Sequence, residues 1–196
     1  MMLSVVTLMA KGGYWGVGIE GSQSFSSKQK MQTYGELEES NVVDENALGF
    51  KIQVGGEAEA GLRTNLTFGM SQYQDDLFPK DFMDPEKSLD NGYIFSFGVE
   101  MQKAFAVSSV FSPIILGGFE FGYVDIDGFV QDSANFTAWK FGIGMLNLFS
   151  DGFEFESQIF YRYRSWGNYN YDQATTSNVT LEENTINLSI GMNFHY

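Results

Sequence analysis

The chain has no cysteine, one histidine (His195) and three prolines in 196 residues. Without cysteine there is no disulfide framework and no thiolate zinc site. A single histidine excludes His-rich metal centres and leaves little for His-dependent catalysis. Basic residues are also scarce: 11 Lys and Arg stand against 25 Asp and Glu, a net charge of −14. Nucleic-acid binding needs a basic surface, so that partner class is excluded. No apolar run approaches the roughly 20 residues of a membrane helix. Aromatics, by contrast, are plentiful at 16%, with 19 Phe, 10 Tyr and 3 Trp, and there are 22 glycines. The length fits one domain, and the composition favours strands.

Residues 1–10, MMLSVVTLMA, form an apolar stretch that ends in a small residue before Lys11. They read as the end of a truncated secretory leader, although the basic n-region is missing. The competing reading is an ordinary start leading into the first strand. The domain division is therefore a leader remnant over 1–11 and a single barrel domain over 12–196.

From there the pattern is period two, the alternation of a strand. Trp15, Val17 and Ile19 oppose Gly16, Gly18, Glu20 and Ser22. Leu48, Phe50, Ile52 and Val54 oppose Gly49, Lys51, Gln53 and Gly55. Similar faces recur around 62–71, 93–102, 115–123, 138–145, 153–164 and 186–196. The result is eight amphipathic strands of about ten residues, the length a tilted strand needs to cross a bilayer. One face is dense in Phe, Leu, Ile, Met and Trp. The other carries glycine and charge. A soluble eight-stranded barrel would have to close-pack the bulky face inside a narrow bore. Turning the barrel inside out removes the crowding, with small and polar residues in the lumen and apolar ones against lipid. In lipid, only helices and closed barrels satisfy every backbone N–H and C=O. The predicted fold is an all-β, eight-stranded antiparallel up-and-down transmembrane barrel.

The predicted connections alternate in length. Long loops cover Ser24 to Asn46, Gln74 to Asn91, Asp125 to Asn135 and Ser165 to Asn184. Short turns lie around Glu57 to Ala60, Lys103 to Ser112 and Asn147 to Gly152, with Pro113 at a turn edge. Both termini then fall on the short-turn side. Aromatic girdles are predicted at Tyr14, Trp15, Phe153, Phe194 and Tyr196 on that side. On the long-loop side they fall at Tyr93, Tyr123, Trp139, Tyr161, Tyr163 and Trp166.

The last segment alternates Ile186, Leu188, Ile190, Met192 and Phe194 and ends in the aromatic Tyr196. It resembles the C-terminal assembly signal of bacterial outer-membrane barrels. With eight strands and four long loops, the pattern over 12–196 resembles the eight-stranded group of OmpA transmembrane domains, OmpX and opacity proteins. The resemblance implies outer-membrane residence, contact with outer-membrane lipids, recognition of the last strand by the barrel-insertion machinery, and a monomer. It says little about function, because this scaffold hosts adhesins, small channels and enzymes.

Charge divides sharply. The four long loops hold 17 acidic and 4 basic residues. The predicted lumen face holds Glu20, Glu100, Glu120, Glu154 and Glu156 with Lys51, Arg63, Lys140, Arg162 and Arg164. Hairpin neighbours suggest the pairs Glu20 with Lys51, Arg63 with Glu100, and Glu120 with Lys140. Such a set forms either a structural plug or an ion path. Glu154 and Glu156 could also be read as an acid–base pair, and His195 with Ser189 as a hydrolase pair. On strands at the short-turn rim, both sets are better explained as lumen residues. Gly16-Val-Gly18 and Gly142-Ile-Gly144 follow from strand alternation rather than nucleotide binding. The acidic clusters Glu36-Leu-Glu38-Glu39, Asp44-Glu45 and Asp75-Asp76 lack the spacing of a dedicated Ca²⁺ loop. No catalytic residue, metal or cofactor is assigned. The function expected is a non-enzymatic outer-membrane protein whose acidic loops make surface contacts or adhere to a ligand. The alternatives are a small channel for ions or apolar solutes, and a soluble lipocalin-like barrel.

Overall fold

The fold is described by a computed structural model for residues 12–33, 36–42, 46–73, 93–108, 110–125, 133–150, 152–167, 169–172 and 177–196. Ten strands follow one another: β1 (Gly12–Thr33), β2 (Glu36–Val42), β3 (Asn46–Glu57), β4 (Leu62–Tyr73), β5 (Tyr93–Ala104), β6 (Phe111–Asp125), β7 (Ser133–Ser150), β8 (Phe153–Trp166), β9 (Tyr169–Asp172) and β10 (Ser177–His195). Eight of them make the barrel in the order β1-β3-β4-β5-β6-β7-β8-β10, and β10 pairs back onto β1 to close it. All of these pairings are antiparallel.

The alternation decides which way each side chain faces. Ile19, Leu48, Trp139, Phe141 and Ile143 are more than half exposed on the outer surface. Lys51, Arg63, Glu100, Lys140 and Arg162 are buried inside. Apolar side chains therefore cover the outside rather than fill a core, which overturns the soluble lipocalin-like alternative. The outer rings also touch in rows across strands: Phe97 packs edge-on against Phe68 at 4.9 Å and against Phe121 at 5.1 Å.

Glycine lets the strands and the bore close. Gly61 sits at φ 73° in the β3–β4 turn, and a side chain there would meet the Ala104 carbonyl at 2.6 Å. At Gly98 a Cβ would fall 2.8 Å from the Glu120 side chain and 2.9 Å from the Phe119 carbonyl. Only glycine leaves that carboxylate its place.

Several expectations need correction. The strands have 12 or more residues in the barrel, and β1 reaches 22. Much of the expected loop Ser24 to Asn46 is strand, as β1 continues to Thr33 and β2 pairs with it. Ser177–Asn184, expected in a loop, belongs to β10, and β9 pairs with β10. In water both faces of a strand can be polar, so no apolar alternation marks these extensions. A bulge between Ser24 and Ser26 marks where β1 leaves the barrel wall. Pro113 lies within β6, opposite Met145, rather than at a turn edge. Tyr14 and Trp166 do not join the girdles: both are buried inside, because their parity is that of Glu20 and Arg164. Residues 1–11 and the acidic pairs Asp44-Glu45 and Asp75-Asp76 lie outside the described residues.

Candidate functional site

The lumen gathers the polar chemistry of the barrel. All ten predicted charges point into it, and an eight-stranded bore is narrow enough for side chains to reach across. At the short-turn end, Arg63 on β4 grips Glu154 on β8 with two bonds, Nη1 to Oε1 at 2.8 Å and Nη2 to Oε2 at 2.9 Å. Its Nε donates to Glu57 Oε2 at 3.0 Å. The guanidinium also stacks 4.8 Å from the Tyr14 ring centroid. Tyr14 donates its hydroxyl to Asn65.

Above this clamp, Glu156 accepts from four side-chain amides. Asn193 and Gln53 donate to Oε2 at 2.8 Å each. Gln102 donates to Oε1 at 2.7 Å, and Gln158 donates to the same oxygen. No base among the described residues makes an ion pair with Glu156. The four N–H groups stand in for one and satisfy its lone pairs.

The middle of the bore is a chain of ion pairs. Lys140 Nζ lies 2.8 Å from both Glu100 Oε2 and Glu120 Oε1. Arg162 joins Glu120 at 3.0 Å to Glu20 at 2.6 Å, and also donates to Asn187. At the long-loop end Arg164 meets Glu183 at 2.8 Å and the Tyr73 hydroxyl at 2.7 Å. Phe136 and Trp166 flank its guanidinium at 4.6 and 5.5 Å. On one wall Ile114, Leu116, Leu146 and Phe160 make an apolar cluster.

Of the pairs expected between hairpin neighbours, Glu120 with Lys140 is present. Arg63 pairs with Glu154 rather than Glu100, and Glu20 pairs with Arg162 rather than Lys51. The long side chains cross the bore to strands that are not their neighbours. Lys51 contacts Gln158 Oε1 at 3.4 Å instead. Sequence reasoning missed Glu183 and Tyr73, which stand beyond the last apolar alternation. It placed Gln53, Asn65, Gln102, Gln158 and Asn193 on the inner face but assigned them no role.

Buried charges are tolerable only when paired and hydrogen-bonded, and this set meets that condition over most of its length. Among the described residues a cavity of about 20 Å³ lies in the long-loop half, room for one water. His195 and Ser189 do not come together. His195 Nε2 lies 3.9 Å from Glu154 Oε2, whereas Ser189 is six residues away, about 20 Å along an extended strand. Among the described residues no group of three or more His, Cys, Asp or Glu side chains is placed to hold a metal.

The predicted assembly segment forms the closing seam. Ile186, Leu188, Ile190 and Met192 are exposed on the outer face of β10. Phe194 stacks on Trp15 at 4.6 Å and packs against Phe153 at 5.5 Å. Tyr196 donates its N–H to the Gly13 carbonyl at 3.1 Å and leaves its side chain exposed.

No protein-family model matches the chain, and no curated protein matches it in sequence. Solved structures do match, along nearly its whole length. Neisserial surface protein A is 13% identical with a TM-score of 0.55, covering 93% of this chain and 97% of that one. The outer membrane protein OprG from Pseudomonas aeruginosa is 10% identical with a TM-score of 0.57, covering 96% and 97%. AlkL, an outer membrane protein solved in DMPC bilayers, is 13% identical with a TM-score of 0.52, covering 94% and 90%. At such identities the likeness is one of fold, and the fold is the eight-stranded bacterial outer-membrane barrel.

Proposed function

We propose that this chain is a non-enzymatic integral outer-membrane protein that works at its external face, as a scaffold for surface contact. The observation that carries this reading is the filled lumen. Side chains bonded across the bore at its short-turn end, middle and long-loop end leave little for transport, so the alternative of a small channel is the weaker one. The long-loop end, in contrast, is built outward. Tilted strands cross the hydrocarbon with about 9–11 residues, and β1 and β10 have 22 and 19. Beyond the barrel they continue as a four-stranded sheet in the order β2-β1-β10-β9, with Gln32 of β1 opposite both Leu37 and Asn178. The four long loops read from the sequence hold 17 acidic and 4 basic residues, which favours a basic contact surface.

On this reading the barrel sits in the outer membrane as a monomer among its lipids, and the insertion machinery recognises Ile186 to Tyr196. Bacteria displaying the chain should adhere to a polylysine-coated surface. They should lose most of that adherence when 27–45 and 74–91, which together hold 11 acidic and 4 basic residues, are replaced by short turns that leave the barrel intact. Equal adherence of the trimmed and complete proteins, at equal surface density, would overturn the proposal.

A further inference from the structure

The cavity in the long-loop half of the lumen has an unbalanced lining. Lys51, Arg162, Arg164, Glu20, Glu120 and Ser96 contribute to it, and Gly49 and Gly69 form a wall without side chains. Both carboxylates are committed. Glu20 is held by Arg162, and Glu120 by Arg162 and Lys140. Arg164 is committed to Glu183.

Lys51 is not balanced in this way. It is 7% exposed, and among the described residues no carboxylate lies within ion-pair distance of it. Its one hydrogen bond, to Gln158 Oε1, is 3.4 Å long, beyond the usual range for N–H···O. Glu156, the carboxylate without a base, stands on the far side of Gln158 and is filled by four amide donors. A buried ammonium is costly until something accepts its protons. The Nε of Arg164 is a second buried donor without a hydrogen-bond partner on the same cavity.

We propose that this cavity binds one small monovalent anion of chloride size, held by Lys51 and Arg164. The uncommitted groups are donors, so the occupant must accept. A water oxygen accepts, but the negative charge that Lys51 feels at longer range belongs to Glu100, which already holds Lys140; a halide accepts and brings a negative charge into contact. About 20 Å³ admits one monatomic ion and excludes sulfate or phosphate, whose second charge the lining also could not match. The amide cage and the Arg63–Glu154 clamp close the bore on the short-turn side. The site is therefore a dead end that consolidates the plug, not a step in a conduction path.

Bromide tests it directly. Crystals of the complete barrel grown with bromide replacing chloride should show an anomalous peak in the cavity, within hydrogen-bonding distance of Lys51. In vesicle-reconstituted protein, the ³⁵Cl resonance should be broadened by the wild type and lose most of that broadening with Lys51→Met. If Lys51→Met does not fold, Arg164→Lys should reduce the broadening several-fold. Water density without an anomalous peak in the wild type would overturn the proposal. So would chloride broadening that folded Lys51→Met leaves unchanged.

Discussion

Arg63 and Glu154, on strands that are not neighbours, face each other across the short-turn end of the bore as a fork on a carboxylate, with bonds of 2.8 and 2.9 Å. The pair is buried on both sides. Arg63→Met would strand Glu154 with Asn193 as its remaining short-range donor, and should cost about 3–5 kcal/mol. Replacing both members, R63M with E154Q, should recover a large part of that loss. Urea unfolding in lipid vesicles measures both. A double variant no more stable than Arg63→Met would show that the pair is not a closed unit.

The amide cage offers a second test. Glu156→Gln keeps the shape but turns one acceptor oxygen into a donor, which then faces N–H groups. Destabilisation of about 1–3 kcal/mol is expected, the cost of leaving buried polar groups unmatched. A shifted unfolding midpoint with an unchanged urea slope would report it. An unchanged midpoint would mean that the four amides do not depend on the carboxylate.

The outer face should behave as a lipid face. Ile143 is 60% exposed on β7. Ile143→Arg should cost about 2–4 kcal/mol near the midplane, whereas Ile143→Leu should be near neutral. Folding yield into vesicles, read by the gel shift of folded against unfolded barrel, distinguishes them. On the lumen side Gly98→Ser should also impair folding, because its Cβ meets the Phe119 carbonyl at 2.9 Å. Near-wild-type yields for Ile143→Arg would contradict the inside-out assignment.

Assembly should depend on the C-terminus. Tyr196 bonds to the Gly13 carbonyl at the seam where β10 meets β1. Deleting Tyr196 should slow outer-membrane insertion and leave protein in the periplasm, as a pulse-chase fractionation would show. Unchanged insertion kinetics would remove the assembly role proposed for this strand.

The barrel was legible because period-two alternation is a local signal: Phe50 and Lys51 must face opposite ways on any straight strand. The projecting sheet was not, because Ser26 to Thr33 is polar on both faces but for Met31 and carries no such signal. The lumen pairings were only partly legible. Lys140 and Glu120 stand on neighbouring strands, so pairing them needed only topology. Glu20 with Arg162 and Arg63 with Glu154 depend on shear and on how far a side chain reaches across the bore, and neither is encoded by spacing. The four amides around Glu156 were visible as inward residues. That they replace a base follows only from their meeting at one carboxylate.

Planar-bilayer recording of the purified barrel tests the filled lumen most directly. Side chains bonded from Arg63 to Arg164 should hold steady current at baseline. Replacing Gln53, Gln102 and Gln158 together with alanine should open water-sized space around Glu156 and bring cation-selective conductance. A steady current through the wild type, with selectivity changed by Arg63→Met but stability unaffected, would contradict the plug and make the lumen a channel.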